Sequence, residues 1–315
     1  MSLFFNLIAG TTLTRTITHT ATNAFRTLSF NIYEGGRDAA GRDAVLKHID
    51  RVNPDILTLT EVGNIAVIQP LLEARGFGYF YGTGGIHELF FASKYPINNA
   101  NEFVMSGRNP LYCEVNINGD LVGVVSHHNA SWCMSGCNTD PSQLPAEPMA
   151  HDRMVQLYMT LKLLNDKKAA KPALKGFIIQ GDWNDDILNT QVQTYSANVS
   201  GGMALPAYLS YPLDNGQFPI KPLEYYNGTM QLNLSTDLAG STHTIWENDP
   251  NPGFNFPMRM DYIAYSDSIN LVAGEILNSE VDDNTGMSKA GSPLNFADSR
   301  DASDHKAVMA DFTIQ

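Results

Sequence analysis

The chain has 315 residues, 43% hydrophobic and 17% charged, with three cysteines and a formal net charge of −13. This excludes a disordered chain and a disulfide-built scaffold, and leaves room for one large α/β domain or two ordinary ones. The acidity argues against a broad basic face for non-specific nucleic-acid binding, although an acidic body can still hold a basic cleft.

Residues 1–25 are Thr-rich, with Thr14, Thr16, Thr18 and Thr20 alternating with Leu13, Arg15, Ile17 and His19. They read as a separate N-terminal segment, an added or edge strand or an ordered tail. Leu3 to Ala9 is apolar but short for a signal core and has no preceding Lys or Arg, and no stretch reaches the length of a membrane span. Few basic residues with abundant Thr, Asn and Ser favour an exported protein.

From Arg26, Leu28, Phe30 and Ile32 alternate with Thr27, Ser29 and Asn31, a strand ending at Gly35-Gly36. Asn31 is an amide inside a β-pattern, so it is either satisfied structurally or aimed at a ligand. A helix over Ala40 to Val52 follows, with Val45, Ile49 and Val52 on one stripe. Pro54 breaks it, and a strand from Asp55 to Thr60 ends in Glu61, where the ordinary reading is a solvent-facing side chain. A second helix carries Ile65, Ile68, Leu71 and Leu72. β-like segments then crowd together: Phe77 to Tyr81, Ile86 to Ala92, Leu111 to Ile117 and Leu121 to Ser126. Gly84-Gly85, Tyr95-Pro96 and Asn118-Gly119-Asp120 are the turns, the last a strong hairpin signal. Such hairpins predict a largely antiparallel sheet and exclude a doubly wound parallel fold.

The strand runs into His127-His128-Asn129, and an irregular stretch from Ser131 to Ala150 carries Cys133 and Cys137. That pair reads as a local disulfide, part of a zinc site with His127 or His128, or two plain thiols. A helix over His151 to Asn165 turns Met154, Leu157, Leu161 and Leu164 to the core. The apolar run Phe177 to Gln180 is a buried strand opening into Gly181-Asp182-Trp183-Asn184. Glycine lets the backbone turn there, and a carboxylate and a carboxamide two residues apart suit a phosphate site. The acid orients water while the amide donates to a phosphoryl oxygen. The same residues also make plain turns. Asp185 to Glu247 reads as a large loop insertion whose Tyr208, Tyr211, Tyr225 and Tyr226 either line a binding groove or, the favoured reading, pack against the body. Strands follow over Arg259 to Tyr265, Leu271 to Leu277 and Ala307 to Ile314, the last after Ser303-Asp304-His305.

Six stretches, in order, resemble the endonuclease/exonuclease/phosphatase superfamily: Leu28-Ser29-Phe30-Asn31, Pro54 to Glu61, Val124 to His128, Gly181 to Asn184, Arg259 to Tyr262 and Ser303 to His305. Ala92 to Ile97 is similar to a further family segment. The resemblance implies an α/β fold of two packed mixed β-sheets flanked by helices, a four-layer αββα sandwich with its site at one edge. It spans one catalytic domain, residues 26–315, with insertions at 131–150 and 185–247. It also implies a Mg²⁺-dependent phosphoester hydrolase, with Mn²⁺ as a substitute, held by Glu61 with support from Asn31 and Asp304. Asp182 would orient or deprotonate the attacking water and Asn184 would hold a non-bridging oxygen. Asp261 would fix the tautomer of His305 and stabilise its charged form. His128 would stabilise the phosphate or protonate the leaving oxygen. His127, on the opposite strand face, has a structural role.

The expected reaction is phosphodiester hydrolysis by direct water attack, in a monomer. The alternatives are a phosphomonoesterase on a small or lipid-borne phosphate and a non-catalytic binding module that keeps the fold. The expected partner is a phosphoester: nucleic acid, a phospholipid headgroup or a small phosphate ester. Abasic-site endonucleases follow the strand Asn with an Asp two residues later, where this chain has Tyr33. The two insertions match no branch, so the motifs leave the substrate open.

Overall fold

Alternating apolar and polar side chains bury both faces of most strands, so each sheet needs a layer on either side. The structure, a computed structural model, describes residues 24–36, 38–83, 89–105, 108–129, 148–184, 232–234, 260–266, 268–277, 303 and 305–315. Its elements are β1 (Phe25–Asn31), α1 (Tyr33–Gly36), α2 (Ala39–Val52), β2 (Ile56–Thr60), α3 (Ile65–Glu73), β3 (Tyr79–Gly82), β4 (Leu89–Ser93) and β5 (Ile97–Glu102). Then come β6 (Leu111–Ile117), β7 (Asp120–His128), α4 (Pro148–Ala170), β8 (Leu174–Asp182), β9 (Leu232–Leu234), β10 (Asp261–Ser266), β11 (Ile269–Ile276) and β12 (Val308–Ile314).

Two six-stranded sheets form, in the orders β11-β12-β1-β2-β4-β3 and β5-β6-β7-β8-β10-β9. Both are mixed. Strand β1 runs parallel to β2 and β7 parallel to β8, while the other pairs are antiparallel. Between the sheets lies an apolar layer that includes Phe25, Ile56, Phe91, Val124, Ile178 and Phe312. On the outer face of the first sheet, α2 and α3 pack Val45, Ile49, Ile68 and Leu72 against Leu28, Phe30 and Leu59. Leu164 of α4 joins Val125, Phe177 and Ile179 on the outer face of the second. The result is the expected αββα sandwich.

Local chemistry explains the element ends. Asp38 caps α2 by accepting from the Gly41 N–H at 2.9 Å, and Asn53 closes it in a left-handed conformation. Asn118 and Gly119 both have positive φ and join β6 to β7, the geometry that matches hairpin twist.

Several elements differ from the sequence reading. Strand β5 was not foreseen, because its Asn-rich sequence lacks apolar alternation and its side chains are half-buried or exposed at a sheet edge. Strand β7 continues through His128, and α4 extends from Pro148 to Ala170 rather than from His151 to Asn165. The insertion taken as loop contributes β9, an edge strand paired with β10. Residues 1–23, 84–88, 130–147, Arg259 and Asp304 lie outside the described residues, as do the side chains of Met154, Leu157 and Leu161. The readings for Cys133, Cys137 and the insertion tyrosines fall there too.

Candidate active site

The topology brings the polar strand ends to one edge. Because β1∥β2 and β7∥β8 are parallel pairs, Asn31, Glu61, His128 and Asp182 all leave their strands at the same end. Strand β10 is antiparallel to β8 and pairs Asp261 with Asp182, so its first residue lies at that edge as well. His305 stands just ahead of β12, which runs antiparallel to β1, and so arrives beside Asn31.

Side-chain contacts tie these residues into one cluster. The Asn31 amide nitrogen donates to Glu61 Oε1 and to Asp182 Oδ2, each at 3.1 Å, and lies 3.5 Å from His305 Nε2. His128 Nε2 is 3.3 Å from Glu61 Oε1 and 3.6 Å from Asp182 Oδ2. His305 Nδ1 lies 2.8 Å from Asp261 Oδ2, and its Nε2 is turned towards Asp182 Oδ2 at 3.9 Å. Asn184 donates its backbone N–H to Asp182 Oδ1 at 2.8 Å and its amide to Asp182 Oδ2 at 3.2 Å. Seven of the eight residues singled out in the sequence are thereby brought together. The eighth, Asp304, is not among the described residues.

The backbone is strained where it presents these groups. Glu61 has φ 56° and Asn184 φ 52°. Left-handed geometry is tolerable for Asn but uncommon for Glu, and such departures concentrate at functional sites. Gly181, at φ 143°, is required: a Cβ there would lie 1.9 Å from the His127 carbonyl oxygen. Trp183 anchors the turn, donating its backbone N–H to Met260 O at 2.7 Å and packing its ring on Tyr262 at 4.8 Å between ring centroids.

Charge states follow from burial and partners. Burial alone pushes Glu61 up, but its bonds to His128 and Asn31 and the nearby imidazoles outweigh it and hold the carboxyl at about 2. Asp182 is raised, first by burial and then by the charge of Asp261, against the pull of His305 and His128. Burial lowers His128, and Arg108 adds to that, against the pull of Glu61 and Asp182. Burial also holds His127 at about 4 despite its Asn129 bond.

Arg108 escaped the sequence reading. It precedes β6 in a non-periodic segment, and only the fold carries it to the site. Its guanidinium meets His128 Nε2, donates to Asn129 O at 3.2 Å and feels both Asp182 and Glu61. Asn129 was also missed. Its carbonyl accepts from Arg108 and from the Asn184 amide at 3.0 Å.

The cluster suits a divalent cation. One ligand atom each from Glu61, His128 and Asp182 lie within 4.8 Å of one another, as do atoms from Asp182, Asp261 and His305. Ionised Glu61 surrenders no proton on binding, and carboxylate oxygens suit a hard cation, while the Asn31 amide oxygen accepts from the Tyr33 N–H at 3.0 Å. The Glu61 side chain is 25% exposed, which leaves the cluster open on its side.

The Endonuclease/Exonuclease/phosphatase family matches this chain over residues 28–305. The chain belongs to that family. Its members hydrolyse phosphoesters and are generally dependent on divalent metal, so this chain is placed among metal-dependent phosphoester hydrolases in the general sense. Solved structures with the same fold include truncated TDP2 of Caenorhabditis elegans, 18% identical, covering 92% of this chain and 97% of that one at a TM-score of 0.55. The human Nocturnin catalytic domain is 16% identical, covering 93% and 95% at 0.56. An endonuclease/exonuclease/phosphatase from Beutenbergia cavernae is 18% identical, covering 93% and 72% at 0.58. No curated protein matches this chain in sequence. Among the described residues, no helix is long and apolar enough to cross a membrane.

Proposed function

We propose that this protein is a Mg²⁺-dependent phosphodiesterase in which water attacks phosphorus directly. The observation that carries the reading is the convergence of Asn31, Glu61, His128, Asp182, Asn184, Asp261 and His305 at one sandwich edge, through contacts of 2.8–3.9 Å.

Glu61 and Asn31 would hold the cation, with Asp304 as a further candidate, and Mn²⁺ would substitute. When bound, the cation supplies Lewis-acid stabilisation of charge developing on the phosphoryl oxygens. Asp182, its pKa raised by burial, is a stronger base than an ordinary carboxylate and would orient or deprotonate the attacking water. Asp261 would hold the proton on His305 Nδ1 and stabilise the charged ring, whose Nε2–H would donate to the phosphate. Asn184 and Arg108 would donate to non-bridging oxygens. Asn184 would exchange its 3.2 Å bond to Asp182 for one to the substrate. His128 would serve the leaving oxygen.

Having separate groups for the water side and the leaving side favours a diester over a monoester. Among the similar structures, TDP2 of D. rerio was solved with a single-strand DNA product, and ANGEL2 is described as a 2′,3′-cyclic phosphatase. A substrate panel with Mg²⁺, Mn²⁺ and EDTA tests the proposal. Plasmid nicking marks a nuclease, choline phosphate release a phospholipid diesterase, and free phosphate a monoesterase. Turnover that survives EDTA refutes the metal dependence.

A further inference from the structure

Behind the site, on the opposite face of β7, a hydrogen-bonded chain leads from His127 to α4. Gln156 of α4 donates its amide to Arg108 O at 2.7 Å. Thr160 donates its hydroxyl to Gln156 O at 2.8 Å, so its oxygen accepts from His127 Nε2–H, also at 2.8 Å. The other ring nitrogen, Nδ1, faces the Asn129 carboxamide, whose oxygen lies 2.6 Å away. His127, Asn129, Gln156 and Thr160 are all buried, at 0–1% exposure.

Hydrogen-bond accounting sharpens this chain. With Nε2 donating, neutral Nδ1 is an acceptor and should face a donor. The Asn129 amide nitrogen is buried and has no partner among the described residues. Turning the carboxamide to exchange oxygen and nitrogen satisfies the nitrogen and Nδ1 together.

We propose that His127 is a positioning residue: through Asn129 it sets the main-chain carbonyl from which Arg108 and Asn184, the two phosphate-facing donors, are hung. The inference rests on the phosphoester reading of the site and deepens it. Strand β7 ends at His128, so beyond the ladder the Asn129 main chain is fixed, among the described residues, by its N–H bond to Asp182 O at 2.9 Å and by the Arg108 and Asn184 groups that donate to its carbonyl. The side-chain link to His127 supplies a further anchor, and α4 makes that anchor rigid. Of the proposed cation ligands, Asn31 and Glu61 leave the other sheet, at the ends of β1 and β2, and make no contact with His127 or Asn129 among the bonds described.

The test is calorimetric titration of full-length protein with inorganic phosphate and, separately, with Mg²⁺. His127→Phe should weaken phosphate binding about tenfold, the equivalent of one misplaced hydrogen bond, and leave Mg²⁺ affinity within about twofold. Thr160→Val, nearly isosteric, should shift phosphate affinity in the same direction by a smaller factor, read on a variant whose far-UV CD matches the wild type. His127→Asn keeps the contact to Asn129 and should recover most of the loss. Equal losses for phosphate and Mg²⁺, or no loss in a folded variant, overturn the proposal. Should the wild type bind no phosphate, the functional reading fails, and side-chain amide NMR decides the positioning by itself. Displaced Asn184 amide signals in His127→Phe and Thr160→Val support it, and unmoved signals overturn it.

Discussion

The pair of Asp261 and His305 offers the sharpest test of the site. Asp261 is fully buried and His305 nearly so, and their 2.8 Å contact joins groups 44 positions apart in sequence. Asp261→Asn removes the charge but keeps the shape, and losing a hydrogen bond to a charged group of about 1.5–3 kcal/mol predicts a 10- to 150-fold drop in turnover. His305→Ala removes the imidazole proposed to face the phosphate and should cost about 10²–10³-fold. The double variant should be within about threefold of His305→Ala, because groups that act as a unit are strongly non-additive. Stability offers an independent readout. His305→Ala strips the imidazole from a buried carboxylate and should cost about 3–5 kcal/mol, whereas adding Asp261→Asn should return part of it. Turnover of a phosphodiester such as bis(p-nitrophenyl) phosphate with Mg²⁺, together with urea unfolding, measures both. Losses that multiply in the double variant, with no recovery of stability, would refute the coupling.

Glu61→Gly should abolish most Mg²⁺ binding by calorimetry yet leave the melting temperature within about 3 °C, since the left-handed strain at φ 56° is relieved as the side-chain bonds are lost. Unchanged Mg²⁺ affinity would remove Glu61 from the metal site. Gly181→Ala should yield little folded protein in expression trials, because the added Cβ meets backbone at 1.9 Å and cannot be accommodated by a rotamer change. Buried Cys113 has its thiol pushed up to about 12 by desolvation, so in a Cys133→Ser/Cys137→Ser background it should not react with a disulfide reagent at pH 8 until the protein is denatured. By the same shift the unfolded chain releases this proton first. Stability from Cys113 should therefore be intact below pH 9 and fall as pH rises from 9 towards 12.

What the sequence determined alone was local. Period-two alternation in Thr27 to Ile32, the Asn118-Gly119 turn and the apolar run into Gly181-Asp182 each encode one strand end or one hairpin, because side-chain direction and φ are set within a few residues. Six such ends in family order were enough for the αββα fold and named seven side chains that the fold gathers into one cluster. Edge elements were less legible: β5 and β9 have no buried face to impose a period, so pairing alone makes them strands. The cluster was beyond reach in the same way. Only the parallel pairing of β1 with β2 and β7 with β8 carries Asn31, Glu61, His128 and Asp182 to one edge, and only sheet packing brings Glu61 within 3.3 Å of His128. Strand alternation had already set the adjacent histidines on opposite faces; tertiary structure supplied their partners, Glu61 and Asp182 for His128 and Thr160 on α4 for His127. It also brought in Arg108, whose role depends on a hydrogen bond to Asn129, 21 positions away, and has no signature in sequence.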